Sequence, residues 1–185
     1  SLMPNYNGVW SLSTQYQNNS GWPKTYAPRA VFGGGVGGSG TVNTIDTMLI
    51  TTTANAVDFG DLSAVRYALG SFSSQDLAFF AGGADTNDEG VDIVETVKIH
   101  SSGNATDFGN LSSGSTGGRG CSSSTRGVFS IGYSQGGGAT VDTMDFFTMS
   151  SAGNATDFGN LASRTYQAAG FGSPTRGIFA GGNEP

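Results

Sequence analysis

Hydrophobic positions in this chain come in short runs, and the residues between the runs are those that favour turns. In the middle of the chain the runs cover 66–73, 77–83, 91–100 and 105–112, with clusters of Gly, Asn, Asp and Ser between them. Runs of this length, bounded by turn formers, predict four short β-strands.

In the unit before this one, the third predicted strand carries apolar residues on both of its faces. Val42, Met48 and Ile50 lie on one face, and Ile45 and Leu49 lie on the other. A strand of this kind is typical of a sheet covered on both sides. The pattern therefore predicts sheets packed between neighbouring sheets.

These patterns recur along the chain in one register. Asp-Phe-Gly occurs at 58, 107 and 157, at spacings of 49 and 50 residues. An acidic residue precedes each occurrence by twelve positions, as Asp46, Glu95 and Asp145. A run that ends in aromatic and glycine residues recurs in step, at 29–34, 76–83, 126–129 and 176–182. Three signatures in one register establish an internal repeat.

Four-stranded units of this length, stacked face to face, predict a small all-β propeller of four blades. Three blades are continuous, at 24–63, 64–112 and 113–163. The segments 3–23 and 164–185 each resemble half a unit, with Gly8 to Tyr16 and Trp22-Pro23 as the later strands. Together they predict one composite blade from N- and C-terminal strands, whose closure leaves no unpaired sheet edge. The propeller domain is then 3–185, and Ser1 and Leu2 before Met3 are expected to be an expression scar.

The repeat resembles kelch-like propeller repeats, which place two glycines at the end of the second strand and an aromatic residue in the fourth. The glycine pairs 33/34, 82/83 and 181/182 and the residues Phe59, Phe108 and Phe158 occupy those places. The chain departs from kelch repeats by having Phe in place of their Trp, and by Ile131-Gly132 in the third unit.

A closer resemblance is to virion-associated proteins of marine bacteriophages. The segments that carry it are Gly-Asn-Ala-Thr-Asp-Phe-Gly-Asn-Leu, Thr-Arg-Gly-Val-Phe and the opening Gly-Val-Trp-Ser-Leu followed by Trp-Pro. This resemblance covers nearly the whole chain. It implies the fold, and it points to a virion or tail-associated role only as far as a fold can imply function.

Composition narrows the choice of partners. The net charge is −6, from 14 acidic and 8 basic residues, and no cluster of Lys and Arg occurs, which argues against a nucleic-acid partner. The high glycine content is balanced by 12 Phe, 6 Tyr and 2 Trp, which favours a folded chain over a disordered one. The sequence has no apolar run long enough for a membrane span, and no leader segment is expected. The localisation is therefore not predicted, except that a phage origin would imply the virion.

The repeated residues have structural interpretations. The Phe of Asp-Phe-Gly is expected in the core, its Asp to accept turn hydrogen bonds, and its Gly to adopt positive φ. The acids Asp46, Glu95 and Asp145 need partners if buried, and Arg29 and Arg126 are the candidates. A metal-binding ring of these acids is the alternative, although single carboxylates lack the clustering that calcium prefers.

Catalytic chemistry has little support in the sequence. Gly35 to Gly40 matches a dinucleotide fingerprint, but no helix is predicted after it, so it is interpreted as a hairpin loop. His100 takes the place of Thr51 and Ser150 in the sister units and is interpreted as an exposed strand end. Nothing in the spacing brings Cys121, the single cysteine, to His100. No catalytic, cofactor-binding or metal-binding residue is assigned.

The leading hypothesis is a non-catalytic structural or adhesive module whose protein or glycan partner meets the loops between the second and third strands. These loops are 36–41, 84–90 and 133–140, and loops on a rigid scaffold commonly carry binding function. A carbohydrate-binding propeller using residues such as Tyr133 is the alternative, and a glycosidase is a third possibility. No cofactor and no membrane partner are expected.

Overall fold

The computed structural model describes residues 27–183, which form antiparallel β-sheets joined by turns. The first sheet consists of β1 (Arg29–Gly37), β2 (Gly40–Leu49) and β3 (Val57–Asp61). The second consists of β4 (Gly70–Ser73), β5 (Leu77–Ala81), β6 (Val91–Lys98) and β7 (Thr106–Thr116). The all-β prediction is therefore confirmed, and so is the division of this unit into four strands.

The second half of the described chain continues the pattern. The third sheet consists of β8 (Arg119–Ser122), β9 (Arg126–Ser130), β12 (Thr143–Thr148) and β13 (Thr156–Asn160). Two short strands, β10 (Tyr133–Ser134) and β11 (Ala139–Thr140), join the second sheet, where β10 pairs with the last two residues of β7, so that this sheet has six strands. The fourth sheet pairs β14 (Ala169–Ser173) with β15 (Arg176–Ala180). It lies in the segment 164–185 that was expected to form the C-terminal half of a composite blade, and the segment expected to form the N-terminal half lies outside the described residues.

The glycine-rich stretch before β2 is a hairpin, as expected. β1 continues to Gly37 and β2 begins at Gly40, so the turn consists of Gly38 and Ser39. Strand β2, not a helix, follows this stretch, which removes the structural context that a dinucleotide fingerprint requires.

Paired phenylalanines fill the junctions between successive sheets. Phe59 of the first sheet packs in one cluster with Phe80 of the second, and the two are 3% and 2% exposed. Phe108 of the second sheet packs in another cluster with Phe129 of the third, and these are 6% and 0% exposed. The second sheet thus has apolar neighbours on both faces, and the expected core role of Phe59 and Phe108 is confirmed.

Phe158 occupies the same place in the third sheet, yet it is 48% exposed. The expected burial is therefore absent at this position within the described residues. Phe158 lines a groove of about 560 Å³ between the third and fourth sheets, together with Phe179 of β15. The groove is open because the fourth sheet has two described strands where the third has four.

The glycine pair of the first repeat is displaced by one residue from its expected position. The left-handed pairs are Gly34-Gly35, Gly82-Gly83 and Gly181-Gly182, with φ of 67° and 113°, 63° and 97°, and 67° and 97°. Three consecutive glycines at 33–35 made the pair ambiguous in sequence. With the correct register, Phe32 is the equivalent of Phe80.

Loops from each unit bind the outer strand of the preceding sheet. The N–H groups of Gly103 and Ala105 donate to the carbonyls of Phe59 and Asp61, both at 2.8 Å. The Asn104 side chain accepts from the Asp61 N–H at 3.1 Å.

The next unit repeats this contact. The N–H groups of Gly153 and Ala155 donate to Phe108 and Asn110 of β7 at 2.8 Å, and the Asn154 side chain accepts from the Asn110 N–H at 3.1 Å. We call the two tripeptides 103–105 and 153–155 the Gly-Asn-Ala loops. Gly60 and Gly109 lie beside the backbone of these loops with φ of 150° and 149°, which confirms the expected positive φ.

The first strands of successive sheets approach one another closely. A methyl group on Gly120 would lie 2.5 Å from the Ser71 carbonyl oxygen, and the Ser122 hydroxyl donates to the Ser73 carbonyl at 2.7 Å. The first strands of the second, third and fourth sheets line a common cavity of about 390 Å³ with residues 29–31 of β1. All four described sheets therefore border one cavity.

The linkers between the sheets are joined to one another by backbone hydrogen bonds. The Gly117 N–H donates to Ala68 at 2.9 Å, and the Gln167 N–H donates to Gly117 at 2.8 Å. All three residues are left-handed, with φ of 52° for Ala68, 68° for Gly117 and 58° for Gln167. We call these three residues the linker triad.

Gly117→Ala is expected to lower the free energy of unfolding by about 1–2 kcal/mol, because a left-handed conformation costs a residue with a Cβ atom about that much. Its methyl group would also lie 3.1 Å from Cγ of Gln167. Gly38→Ala is the control, since open space surrounds this turn residue and its φ is not positive. Urea denaturation of both variants gives the comparison, and equal losses would contradict the role assigned to the linker triad.

Candidate binding face

Each repeat unit has a loop between its second and third strands, and in the first unit these two strands are β1 and β2. These loops lie at one end of the sheets, and we call this end the loop face. It comprises the β1–β2 turn, the β5–β6 connection at 82–90 and the β9–β12 connection at 131–142. The Gly90 N–H donates to the Gln135 side chain at 3.2 Å, which places the last two connections side by side. None of these three loops contains Lys or Arg.

The β5–β6 connection is ordered by its own acidic residues. Asp85 accepts hydrogen bonds from the backbone N–H groups of Asn87 at 2.8 Å and Glu89 at 3.0 Å, and these bonds lower the pKa of its carboxyl. The Tyr67 hydroxyl donates to Asp88 at 2.7 Å, and this bond raises the pKa of Tyr67. The result is a fixed tyrosine–carboxylate pair at the surface. Sequence reasoning missed this pair because Tyr67 and Asp88 lie in separate loops.

The β9–β12 connection is held by hydroxyl groups. Ser113 and Ser134 share a hydrogen bond of 2.8 Å between their side chains, and the Gln135 N–H donates to Gly114 at 2.8 Å. Tyr133, expected as a contact residue, pairs with Thr116 of β7 and keeps 37% of its surface exposed. Its ring is therefore available to a partner on the loop face.

The three repeated acids have three different environments. Glu95 is buried and forms an ion pair with Arg66, whose other nitrogen donates to the carbonyls of Gly82 and Ile93 at 2.9 and 3.1 Å. The second Glu95 oxygen accepts from the Ser63 N–H at 2.9 Å. Burial lowers the pKa of Arg66, and the Glu95 charge opposes this effect.

Asp145 is fully buried without a cation. One oxygen accepts from the Ser112 N–H at 2.7 Å, and the other has no partner among the described residues. Ser115 stands at the place of Arg66 and donates instead to the Ile131 carbonyl at 2.5 Å. Burial therefore raises the pKa of Asp145.

Asp46 is exposed, and the expected arginine partners are wrong within the described residues. Arg126 lies over the Phe146 ring, 5.1 Å from its centroid. Within the described residues, 27–183, the ion pair is the one between Arg66 and Glu95. Arg66 was missed because the repeat places a serine at its equivalent in the third unit. No group of three or more His, Cys, Asp or Glu that could hold a metal occurs in the described part of the chain.

His100 and Cys121 belong to different units of the repeat. His100 lies after β6, and its ring is 3.2 Å from the carbonyl of Gln75. Cys121 is buried in β8 and lines the cavity of about 390 Å³, and burial raises the pKa of its thiol.

No protein-family model matches the chain. No curated protein matches it either. In residues 27–183, no helix is long and apolar enough to cross a membrane.

Asp145→Asn is expected to remove part of the pH dependence of stability. Because the folded-state pKa of Asp145 is raised, the folded state binds this proton more tightly than the unfolded state, so stability falls as pH rises from the ordinary value of 3.8 through the raised pKa. The difference in urea midpoint between the parent and the variant, measured from acid to neutral pH, isolates this group. The variant should gain stability relative to the parent as pH rises, and a constant difference would contradict the prediction.

Proposed function

We propose that this chain is a non-catalytic binding or structural module built as a four-bladed, kelch-like propeller. In this proposal the fourth blade is a composite of the two ends of the chain. The setting we propose is a virion surface, such as a phage tail, as the resemblance of the repeat implies. The partner is a protein or a glycan that meets the loop face.

The observation that carries the proposal is the use of the repeated residues. The phenylalanines pack between sheets, the glycines allow close backbone approach, and the Gly-Asn-Ala loops bind the preceding sheet. Because the repeated residues pack between sheets or hold the backbone, few of them are available as catalytic groups. The units differ most at the loop face, where partner recognition is expected.

An antibody against this protein tests the proposed setting. Negative-stain images of labelled marine phage virions are expected to show label at a defined structure such as the tail. The absence of label from every particle in preparations that contain the protein by mass spectrometry would contradict a surface role.

The second candidate is a carbohydrate-binding module, favoured by the Tyr67–Asp88 pair and the exposed Tyr133 ring. Sugars are bound by aromatic stacking combined with carboxylate and amide hydrogen bonds, and these loops carry no basic residue. On a glycan array, Tyr133→Ala and Tyr67→Phe should each weaken any signal.

Thr52→Ala and Ser102→Ala are the matched controls for the array. They lie in the connections between third and fourth strands, at the opposite end of the sheets. An array without signal, or a signal that falls only with the control variants, would reject the glycan version.

A further inference from the structure

We propose that residues 10–13 dock in cis on the open face of the first sheet, with Trp10 packed on Phe32 and the backbone N–H of Ser13 donated to Asp46. This inference rests on the proposed ring of sheets. It adds the specific contacts at which the ring closes, and it does not depend on any partner.

The open face is defined by residues that are buried in the other sheets. Phe32 is 57% exposed, whereas its equivalents Phe80 and Phe129 are 2% and 0% exposed. Phe80 and Phe129 are each covered by the outer-strand phenylalanine of the preceding sheet, Phe59 and Phe108. Phe32 therefore lacks one aromatic partner among the described residues.

Asp46, on the same face, also lacks a partner among the described residues that its equivalents have. It is paired across the sheet with Phe32, so both side chains leave the sheet on one side. Glu95 and Asp145 each accept the N–H of a serine in the preceding unit, Ser63 and Ser112. Asp46 is exposed and has no such donor within the described part of the chain.

The repeat identifies the missing groups in the N-terminal segment. Trp10 precedes Phe59 by 49 residues, which is the spacing between Phe59 and Phe108. Leu12-Ser13 corresponds to Leu62-Ser63 and Leu111-Ser112, and Ser13 precedes Asp46 by 33 residues, as Ser112 precedes Asp145. The N-terminal segment has one residue fewer between the aromatic ring and the serine, since Ser13 follows Trp10 by three positions whereas Ser63 follows Phe59 by four. One short segment thus supplies both the aromatic ring and the amide donor.

The chain can reach this face without strain. Trp10 lies seventeen positions before Ala27, the first described residue, and the first sheet begins at Arg29. An extended segment of that length spans up to about 55 Å. The open face belongs to the sheet that directly follows the segment, which favours docking in cis over docking from a second copy.

Trp10 fluorescence tests the contact with Phe32. In a Trp22→Phe background Trp10 is the single tryptophan. We expect blue-shifted emission and weak acrylamide quenching, a red shift and stronger quenching in Phe32→Ala, and no change in the control Val36→Ala, whose side chain is 70% exposed in the β1–β2 hairpin. Solvent-exposed emission in the background protein, or a spectrum that Phe32→Ala leaves unchanged, would overturn the proposal.

Amide exchange tests the contact with Asp46 without disturbing the core. The Ser13 amide is expected to be protected in the full chain and to exchange faster in Asp46→Ala, while Asp92→Ala, an acid at the start of β6, leaves it protected. Fast exchange of Ser13 in the full chain would overturn the contact. Light scattering must give a monomer, since protection that disappears on dilution would assign the face to a second copy. Neither readout involves a ligand, so failure here leaves the binding proposal to its own tests.

Discussion

Glu95→Ala is expected to lower the free energy of unfolding by about 3–5 kcal/mol, because removal of one partner leaves a buried charge uncompensated. Arg66 is 1% exposed and would keep only two carbonyl partners, while the Ser63 N–H would lose its acceptor. The ion pair spans the linker between the first two sheets and β6, so its loss should loosen that junction.

Two controls separate this effect from a general response to mutation. Glu89→Ala removes an exposed acid of the loop face and is expected to change stability by less than about 0.5 kcal/mol. The double variant Arg66→Leu with Glu95→Leu should recover much of the loss, since a buried pair replaced by apolar residues is often tolerated. Guanidinium chloride screens exposed charges, so urea is the denaturant to use. A loss below about 1 kcal/mol for Glu95→Ala would show that the pair is accessible to water.

Phe79→Ala is expected to cost about 3–5 kcal/mol, the range for truncating a buried phenylalanine. Phe79 is 0% exposed, stacks on Phe72 with 4.8 Å between ring centroids and meets Phe108 edge to face at the same distance. It therefore joins the first, second and fourth strands of one sheet to the core of the next.

Phe79→Leu is the graded control, because it retains most of the apolar volume and should cost clearly less than the alanine variant. Urea midpoints, taken with unchanged m-values, give both numbers. Equal losses for the two variants would indicate that the ring contacts, not the filled volume, stabilise this junction.

The hydrophobic pattern and the repeat were sufficient to predict the strands and the burial of Phe59 and Phe108. Turn formers at fixed spacing leave few alternatives to short antiparallel strands. The boundaries were less certain: the run at 66–73 becomes a strand only at Gly70, since the backbone of Ala68 is left-handed, with a φ of 52°.

Features that depend on one unit only could not be predicted from the repeat. The Gly34-Gly35 register was hidden by a third glycine, and the Arg66–Glu95 pair by the serine at position 115. The Tyr67–Asp88 contact joins two loops that are brought together by the backbone hydrogen bonds between Tyr67 and Ala84, a pairing outside the main strands. Periodicity identifies what the units share, whereas the candidate binding residues lie where they differ.

The Gly-Asn-Ala loops also affect how molecules meet one another. Outer strands β3 and β7 would otherwise present free N–H and carbonyl groups to other chains, and many proteins prevent such pairing with lysines. This chain is only 12% charged, so it has few charges for that purpose. Its own backbone occupies those edges instead. This protection against pairing with other chains does not depend on charge, so neither salt nor a change of pH removes it.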